Sequence, residues 1–390
     1  MMYSALLMIE SVAVLGSVTG SVYYLLCLRG ARAFQREREK LRQFADAAAA
    51  LPPVSILKPL KGVDPEIYES FRSHCLQNYG DFELIFGASD PEDPAVASVR
   101  RLQAEFPERR IEMVVCANSP GPNVKVTNLA QMARAARHDV LIVNDSDIRV
   151  ERDYLRQVTA PLQSESVGLV TCLYRGKAAP TLGSRLEALG ISSDFCAGVL
   201  AARQIEGGIR FGLGSTLAFR RADLQRIGGF EAIADYLADD YELGKRIADL
   251  GMDVVLAPNT VETFLPAYSI GNFLEHQLRW TRGVRDARPG GYFGLLFTFG
   301  VTWSVLALAL AGGAVWAWAL FAVVLMLRTG MAWVVGRTVL QDLQTTGLLW
   351  LLPLRDLIAT GVWVASYFGN TVNWRGDRFR LRKGKLDRLP

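Results

Sequence analysis

The chain is poor in the residues that build metal and redox centres. It holds three histidines and five cysteines (Cys27, Cys75, Cys116, Cys172 and Cys196), an odd, scattered set with no C-x-x-C pair. That excludes a thiolate zinc site and a disulfide framework, and it fits small buried thiols in a reducing compartment. Charge of one sign is scarce as well. A net charge of +4 over 390 residues does not suggest a nucleic-acid partner. No G-x-G-x-x-G follows the first strand-like run, so a dinucleotide-dependent dehydrogenase is set aside. Apolar sequence is abundant, at 50% of residues, and uneven. Residues 30–290 read as soluble protein, and both ends read as lipid-embedded.

The first apolar stretch, Ala5 to Leu28, is long enough to cross about 30 Å of hydrocarbon. No small-residue cleavage site lies close behind it, so residues 1–29 read as an anchor. Arg29, Arg32, Arg36, Arg38, Lys40 and Arg42 follow within a basic linker, residues 30–53. The positive-inside rule then places the soluble part in the cytosol, at the inner membrane if the cell is bacterial. Past Gly290 a membrane region covers residues 291–370. Tyr292 to Val335 is too long for one span, and Gly312-Gly313 offers a hinge for two. Leu348 to Phe368 is interrupted by Pro353, Arg355 and Asp356. It is expected to be re-entrant or interfacial, because one more crossing would put the basic tail, residues 371–390, outside. That placement would set Arg355 near the path of an incoming lipid. The tail carries Arg375, Arg378, Arg380, Arg382, Lys383 and Lys385. Basic clusters beside apolar segments suit anionic lipid headgroups.

Between these ends, residues 54–290 alternate strand and helix patterns. Val54–Leu57, Phe82–Ala88, Ile111–Cys116 and Val140–Val143 read as strands. Glu66–Gln77, Pro94–Glu105 and Lys125–Arg137 read as helices. Near-continuous apolar strands between helices predict an α/β fold with a parallel, doubly covered sheet. Such sheets bind ligands beyond the carboxyl ends of their strands. Asp90 and Asp145 both stand at that edge.

Several clusters there and beyond carry chemistry. Asp145-Ser146-Asp147 ends a strand, and on extended backbone alternate carboxylates share a side and can converge on Mg²⁺ or Mn²⁺. The alternative is an ordinary turn. Asp239-Asp240-Tyr241-Glu242 opens an amphipathic helix. Either the carboxylates serve the helix dipole, or one of Asp239 and Asp240 is a general base facing the pocket. His276-Gln277-Leu278-Arg279-Trp280 lies on another amphipathic helix. Its Trp and Arg suit an interfacial anchor or a leaving-group contact at Arg279 beside an acceptor wall at Trp280. For His276 a plain helix-face position competes with a phosphate contact. Lys125 and Asn128 open a helix, as a solvated face or a nucleotide site.

These elements in this order resemble the inverting glycosyltransferases of families 2 and 21, of the kind that includes ceramide glucosyltransferases and hopanoid-associated transferases. The likeness rests on Val54 to Asp64, Asp90 to Pro94, Lys125 to Asn128, Asn144 to Val150, Gly212 to Arg220, Ala238 to Leu243 and His276 to Trp280. It covers roughly residues 50–390. It implies a GT-A-type, Rossmann-like catalytic domain between N- and C-terminal transmembrane helices, and inversion at the anomeric carbon. It also implies roles. Asp90 would contact uridine, Lys125 would approach the nucleotide, and Asp145 and Asp147 would handle diphosphate and a divalent cation. Asp240 would be the base, and Arg279 with Trp280 would close the site. Two departures stand out: His276 occupies a position the family fills with Gln or Arg, and Asp147 is an acid that ceramide glucosyltransferases often lack. The expected donor is UDP-glucose or UDP-N-acetylglucosamine, and the expected acceptor a ceramide- or hopanoid-like membrane lipid. A polysaccharide synthase would need more C-terminal segments. A polyprenyl-phosphate sugar transferase would not be expected to carry the Arg-Trp helix. An inactive scaffold would not be expected to keep four acids.

Overall fold

The structure is a computed structural model that describes residues 2–48, 50–117, 121–374 and 376–389. Arg375 of the basic tail lies outside the described residues. The chain divides into two compact units. One comprises residues 36–177, 207–266 and 371–390, and the other residues 1–35, 178–206 and 267–370.

The first unit is built on strands β1 (Val54–Pro59), β2 (Phe82–Ala88), β3 (Arg110–Val115), β4 (Val140–Val143), β5 (Ile148–Arg149), β6 (Val167–Lys177), β7 (Leu217–Arg220) and β8 (Asp253–Phe264). They form one sheet in the order β3-β2-β1-β4-β7-β6-β8-β5. β1, β2, β3 and β4 are parallel neighbours. β1 and β2 are buried at every position, which is why they read as near-continuous apolar runs; their polar exceptions, Ser55, Lys58 and Glu83, are buried too, and Ser55 donates to Glu83 at 2.6 Å. The helices Ile67–Cys75, Ala95–Glu105 and Val124–Ala135 stand where the sequence predicts them. The far half departs from the all-parallel expectation, since β7 runs antiparallel to both β4 and β6. The pattern beyond Val143 is where the sequence reading assigned no further strands.

The tail is not a loose basic segment. Strands β9 (Thr371–Trp374), β10 (Asp377–Arg382) and β11 (Lys385–Arg388) form an antiparallel sheet. Its inner face packs Val372, Phe379, Leu381 and Leu386 with Leu237 and Trp374. Arg378, Arg380 and Arg382 alternate with these apolar residues and stay exposed. That is the period-2 signature of a half-buried strand.

The first helix is continuous from Met2 to Ala47, with residues 2–35 in the second unit and 36–47 in the first, so the basic residues after Leu28 are helical. Among the described residues, three helical runs are long and apolar enough to cross a membrane: Ser4–Ala47, Val315–Val339 and Leu343–Ser366. A fourth segment, Pro289–Thr298 with Gly300–Leu310, is bent by 49° at a short break. Gly312 and Gly313 both adopt positive φ at the turn before Val315, as their hinge role requires. Pro353 does not interrupt its segment. It sits in the first turn of the helix Leu352–Ser366, where a missing N–H costs nothing.

Candidate active site

The site grows from the carboxyl end of β4. After Val143 the backbone turns instead of continuing extended: the Ile148 N–H bonds to Asp145 O at 3.3 Å. Strand alternation therefore does not govern Asp145 and Asp147, and each carboxylate finds its own surroundings. Asn144, fully buried, donates from Nδ2 to Ser215 O (2.7 Å) and Thr216 Oγ1 (3.1 Å). That fastens the loop before β7 to the acidic turn.

Lys125, at the start of the helix Val124–Ala135, reaches two carboxylates at once. Its Nζ lies 2.8 Å from Asp145 Oδ1 and 3.3 Å from Asp239 Oδ2. Burial opposes its charge, yet Asp145, Asp239 and Asp240 together raise its pKa well above the ordinary lysine value. Asp239 and Asp240 open the helix Asp239–Asp249, where the helix dipole favours negative charge. Asp240 faces Asp145 across Gly214. A Cβ on Gly214 would lie 3.2 Å from Asp240 Oδ2 and 3.4 Å from Asp145 Oδ2, so glycine keeps open the space the two carboxylates share. Burial first, and the charge of Asp239 second, push the Asp240 carboxyl up to about 6.

Asp147 is held elsewhere in the turn. Its Oδ2 accepts from the Thr263 hydroxyl of β8. Burial, then the charge of Asp145, pushes its carboxyl up to about 6. Lys58, fully buried at the end of β1, donates to Asp145 O at 2.9 Å. Burial pulls its ammonium down to about 7, against the opposing pull of Asp147, Asp145 and Asp64. Ser146 donates to Asp64.

The structure thus brings Lys125, Asp145 and Asp240 together and adds Asp239, which sequence reasoning had treated as the turned-away member of its pair. Lys58, Asp64, Gly214 and Thr263 were not singled out individually. Lys58 carried one legible signal, a lysine inside an otherwise apolar strand. Asp90 stands past β2 as expected, but exposed, with Oδ1 accepting from the Glu92 N–H at 2.9 Å. His276, Arg279 and Trp280 belong to the other unit, on the helix Ile270–Ala287. There Tyr268 stacks on His276 at 5.5 Å, His276 meets Trp280 at 5.5 Å, and Trp280 meets Phe195 edge-on at 5.7 Å.

Among the described residues, no group of three or more His, Cys, Asp or Glu forms a ready metal cage. The donor chemistry still fits a hard cation. Asp145 presents a carboxylate to the open space at Gly214, and Asp147, two residues on, is close enough to feel the charge of Asp145. Burial first, and a neighbouring carboxylate second, raise the Asp147 and Asp240 carboxyl groups, and a divalent cation beside them would favour their ionised forms.

Known proteins resemble this chain along most of its length. Ceramide glucosyltransferase 3 of Caenorhabditis elegans is 25% identical over 390 residues, covering 96% of this chain and 82% of the relative. The ceramide glucosyltransferase of Candida albicans is 32% identical over 115 residues, covering 26% of this chain and 21% of the relative. Among solved structures, the mannosyltransferase PcManGT from Pyrobaculum calidifontis, determined with GDP-Man and Mn²⁺, matches with a TM-score of 0.50 at 18% identity, over 90% of this chain and 98% of that one. That likeness shows the fold, a GT-A glycosyltransferase fold. The sequence model of glycosyl transferase family 21 matches residues 12–387, and with that span the chain belongs to glycosyl transferase family 21 and is a glycosyltransferase.

Proposed function

We propose that the enzyme transfers glucose or N-acetylglucosamine from a UDP-sugar to a hydroxyl of a membrane lipid of ceramide or hopanoid type, with inversion. The observation that carries this reading is the open space at Gly214, bordered by Asp240 on one side and by the Lys125-clamped Asp145 on the other. A lipid hydroxyl is a weak nucleophile until a carboxylate takes its proton. Asp240 is suited to that task, since a carboxyl near 6 is ionised at neutral pH yet basic enough to accept. The acceptor oxygen forms its bond to the anomeric carbon as the carbon–phosphate oxygen bond breaks on the opposite face. The proton goes to Asp240, and the electron pair leaves with the nucleoside diphosphate.

Asp145 and Asp147 would hold a divalent cation, Mg²⁺ or Mn²⁺, which when bound neutralises the leaving diphosphate. Lys125 orients Asp145 and Asp239 and brings positive charge to the nucleotide side. Asp90, exposed beyond β2, would contact the base. Arg279 would meet the diphosphate, and Trp280 with His276 would line the acceptor pocket. The catalytic unit would lie in the cytosol. The deciding experiment incubates the purified chain in lipid nanodiscs with a panel of UDP-sugars and with ceramide or a membrane lipid extract, and reads products by mass spectrometry and anomeric NMR. A β-linked glycolipid formed from a UDP-hexose supports the reading. Transfer only to a growing polysaccharide, or no transfer to any lipid, would overturn it.

A further inference from the structure

A line of buried polar contacts runs through the membrane unit. His276 Nδ1 lies 3.3 Å from Glu187 Oε1. Glu187 Oε2 accepts from Gln277 Nε2 at 2.8 Å. Gln277 Oε1 accepts from Arg355 Nη2 at 2.9 Å. The same nitrogen lies 3.1 Å from Asp194 Oδ2. Asp194 also pairs with Arg328, which binds Asp356 through both carboxylate oxygens. Glu187, Arg328, Arg355 and Asp356 are all more than nine-tenths buried. Arg328, Arg355 and Asp356 lie on the apolar helical runs Val315–Val339 and Leu343–Ser366, where charged groups are costly and mark function unless fully paired.

Arg328 is satisfied: its donors reach Asp356, Asp194, Ser193 O and Ser193 Oγ. Arg355 is not. Its Nε and Nη1 have no hydrogen-bond partner among the described residues, although the side chain is buried. An unmade hydrogen bond on a buried guanidinium is expensive enough to require a reason. The guanidinium is turned toward Gly190: a Cβ there would lie 2.6 Å from Nε and 2.5 Å from Nη2. Directly after Gly190 the helix opens into a π-helical turn, Ile191–Phe195, a distortion that recurs at functional sites. That turn carries Asp194 on the polar line and Phe195 on the aromatic wall with Trp280 and His276.

We infer that Arg355 is an acceptor-recognition residue, whose Nε–H and Nη1–H donate to an oxygen of an uncharged lipid head group bearing amide or hydroxyl oxygens. The charges select that class. Arg328 and Arg355 face three carboxylates, Glu187, Asp194 and Asp356, so a phosphate head group would add a negative charge to a site that already has the larger share. The inference deepens the acceptor half of the proposed function and rests on it.

The test uses the full chain in mixed micelles with UDP-glucose and a short-chain ceramide, comparing wild type with Arg355→Lys and Gly190→Ala. Lysine keeps a positive charge beside Asp194 but lacks the guanidinium fork. The alanine methyl pushes the guanidinium off its seat at Gly190 without removing any charge. Both variants are expected to raise the acceptor KM about tenfold or more, with UDP-glucose KM and Tm within error of wild type. An acceptor KM unmoved by either folded variant overturns the inference, as does an equal rise in both KM values or an effect confined to Tm. A wild type that glucosylates ceramide while the variants leave acceptor KM unchanged sinks this inference alone. A wild type that moves no sugar to any lipid sinks the proposed function and this inference with it.

Discussion

At the residue scale the site is a problem of three carboxylates and one lysine. Asp239 and Asp240 differ by one position, yet they divide the work: Asp239 pairs with Lys125, and Asp240 faces the gap at Gly214. Asp240→Asn is therefore expected to lower kcat by about 10²–10⁴-fold while nucleotide binding, followed by calorimetry, survives. Asp239→Asn keeps measurable turnover; the reverse ranking would move the base to Asp239. The pH profile follows from the same geometry. Burial and Asp239 raise the Asp240 carboxyl to about 6, and only its ionised form accepts a proton. So kcat should rise with pH up to about 6 and then level. In Asp239→Asn the neighbouring charge is gone, the carboxyl ionises more easily, and the rising limb should move to lower pH. Chelation should abolish turnover, with Asp145→Asn costing more than Asp147→Asn, because Asp145 is the one that borders the gap. Asp145, Lys125 and Asp240 were legible in the sequence because each ends or begins an element at the ligand edge. Gly214, Lys58 and Thr263 were not, because their part depends on which loops meet through space.

At the element scale, proline and charge do not by themselves decide whether a segment crosses the bilayer. Pro353, Arg355 and Asp356 look like a broken segment when each residue is weighed alone. A helix tolerates proline in its first turn, and charges lose much of their cost once paired with Arg328 and Asp194. The pairing makes Arg328 the keystone. Arg328→Met leaves Asp194 and Asp356 without their main counter-charge, and is expected to cost roughly 3–5 kcal/mol of stability, read as a lowered Tm in detergent. Arg328→Met combined with Asp356→Leu should recover part of that loss, since an apolar pair avoids the stranded carboxylate. A double variant no better than the single would mean that Asp356 does not depend on Arg328. The Arg-Phe-Arg-Leu-Arg run of β10 shows a lapse: its alternation was visible in the sequence but was read as a count of charges.

At the scale of the whole molecule, membrane topology reduces to parity. The tail sheet lies in the same unit as the catalytic strands, tied there by Leu237 N–H to Gly384 O at 3.1 Å. The chain between Ala267 and Asn370 must then cross the bilayer an even number of times. Val315–Val339 and Leu343–Ser366 are each long and apolar enough to cross; with both crossing, the bent pair Pro289–Leu310 would enter and return, and with Leu343–Ser366 at the interface it would cross. Gly300–Leu310 alone, at 11 residues, spans about 16 Å of the roughly 30 Å required. Cysteine placed at Leu343 should react with an impermeant thiol reagent on intact cells, and cysteine at Val315 should react only after permeabilisation. The reverse pattern would make Pro289–Leu310 the crossing segment and return Leu343–Ser366 to the interface.

The catalytic unit is written in three pieces of sequence, and its last piece is the last to leave the ribosome. Until residues 371–388 arrive, Leu237, three residues before Asp240, lacks the apolar surface of Phe379, Leu381 and Leu386 that covers it. Maturation of the soluble part is thereby chained to completion of the membrane part. A polypeptide released before its tail strands would leave that apolar surface bare beside its own base.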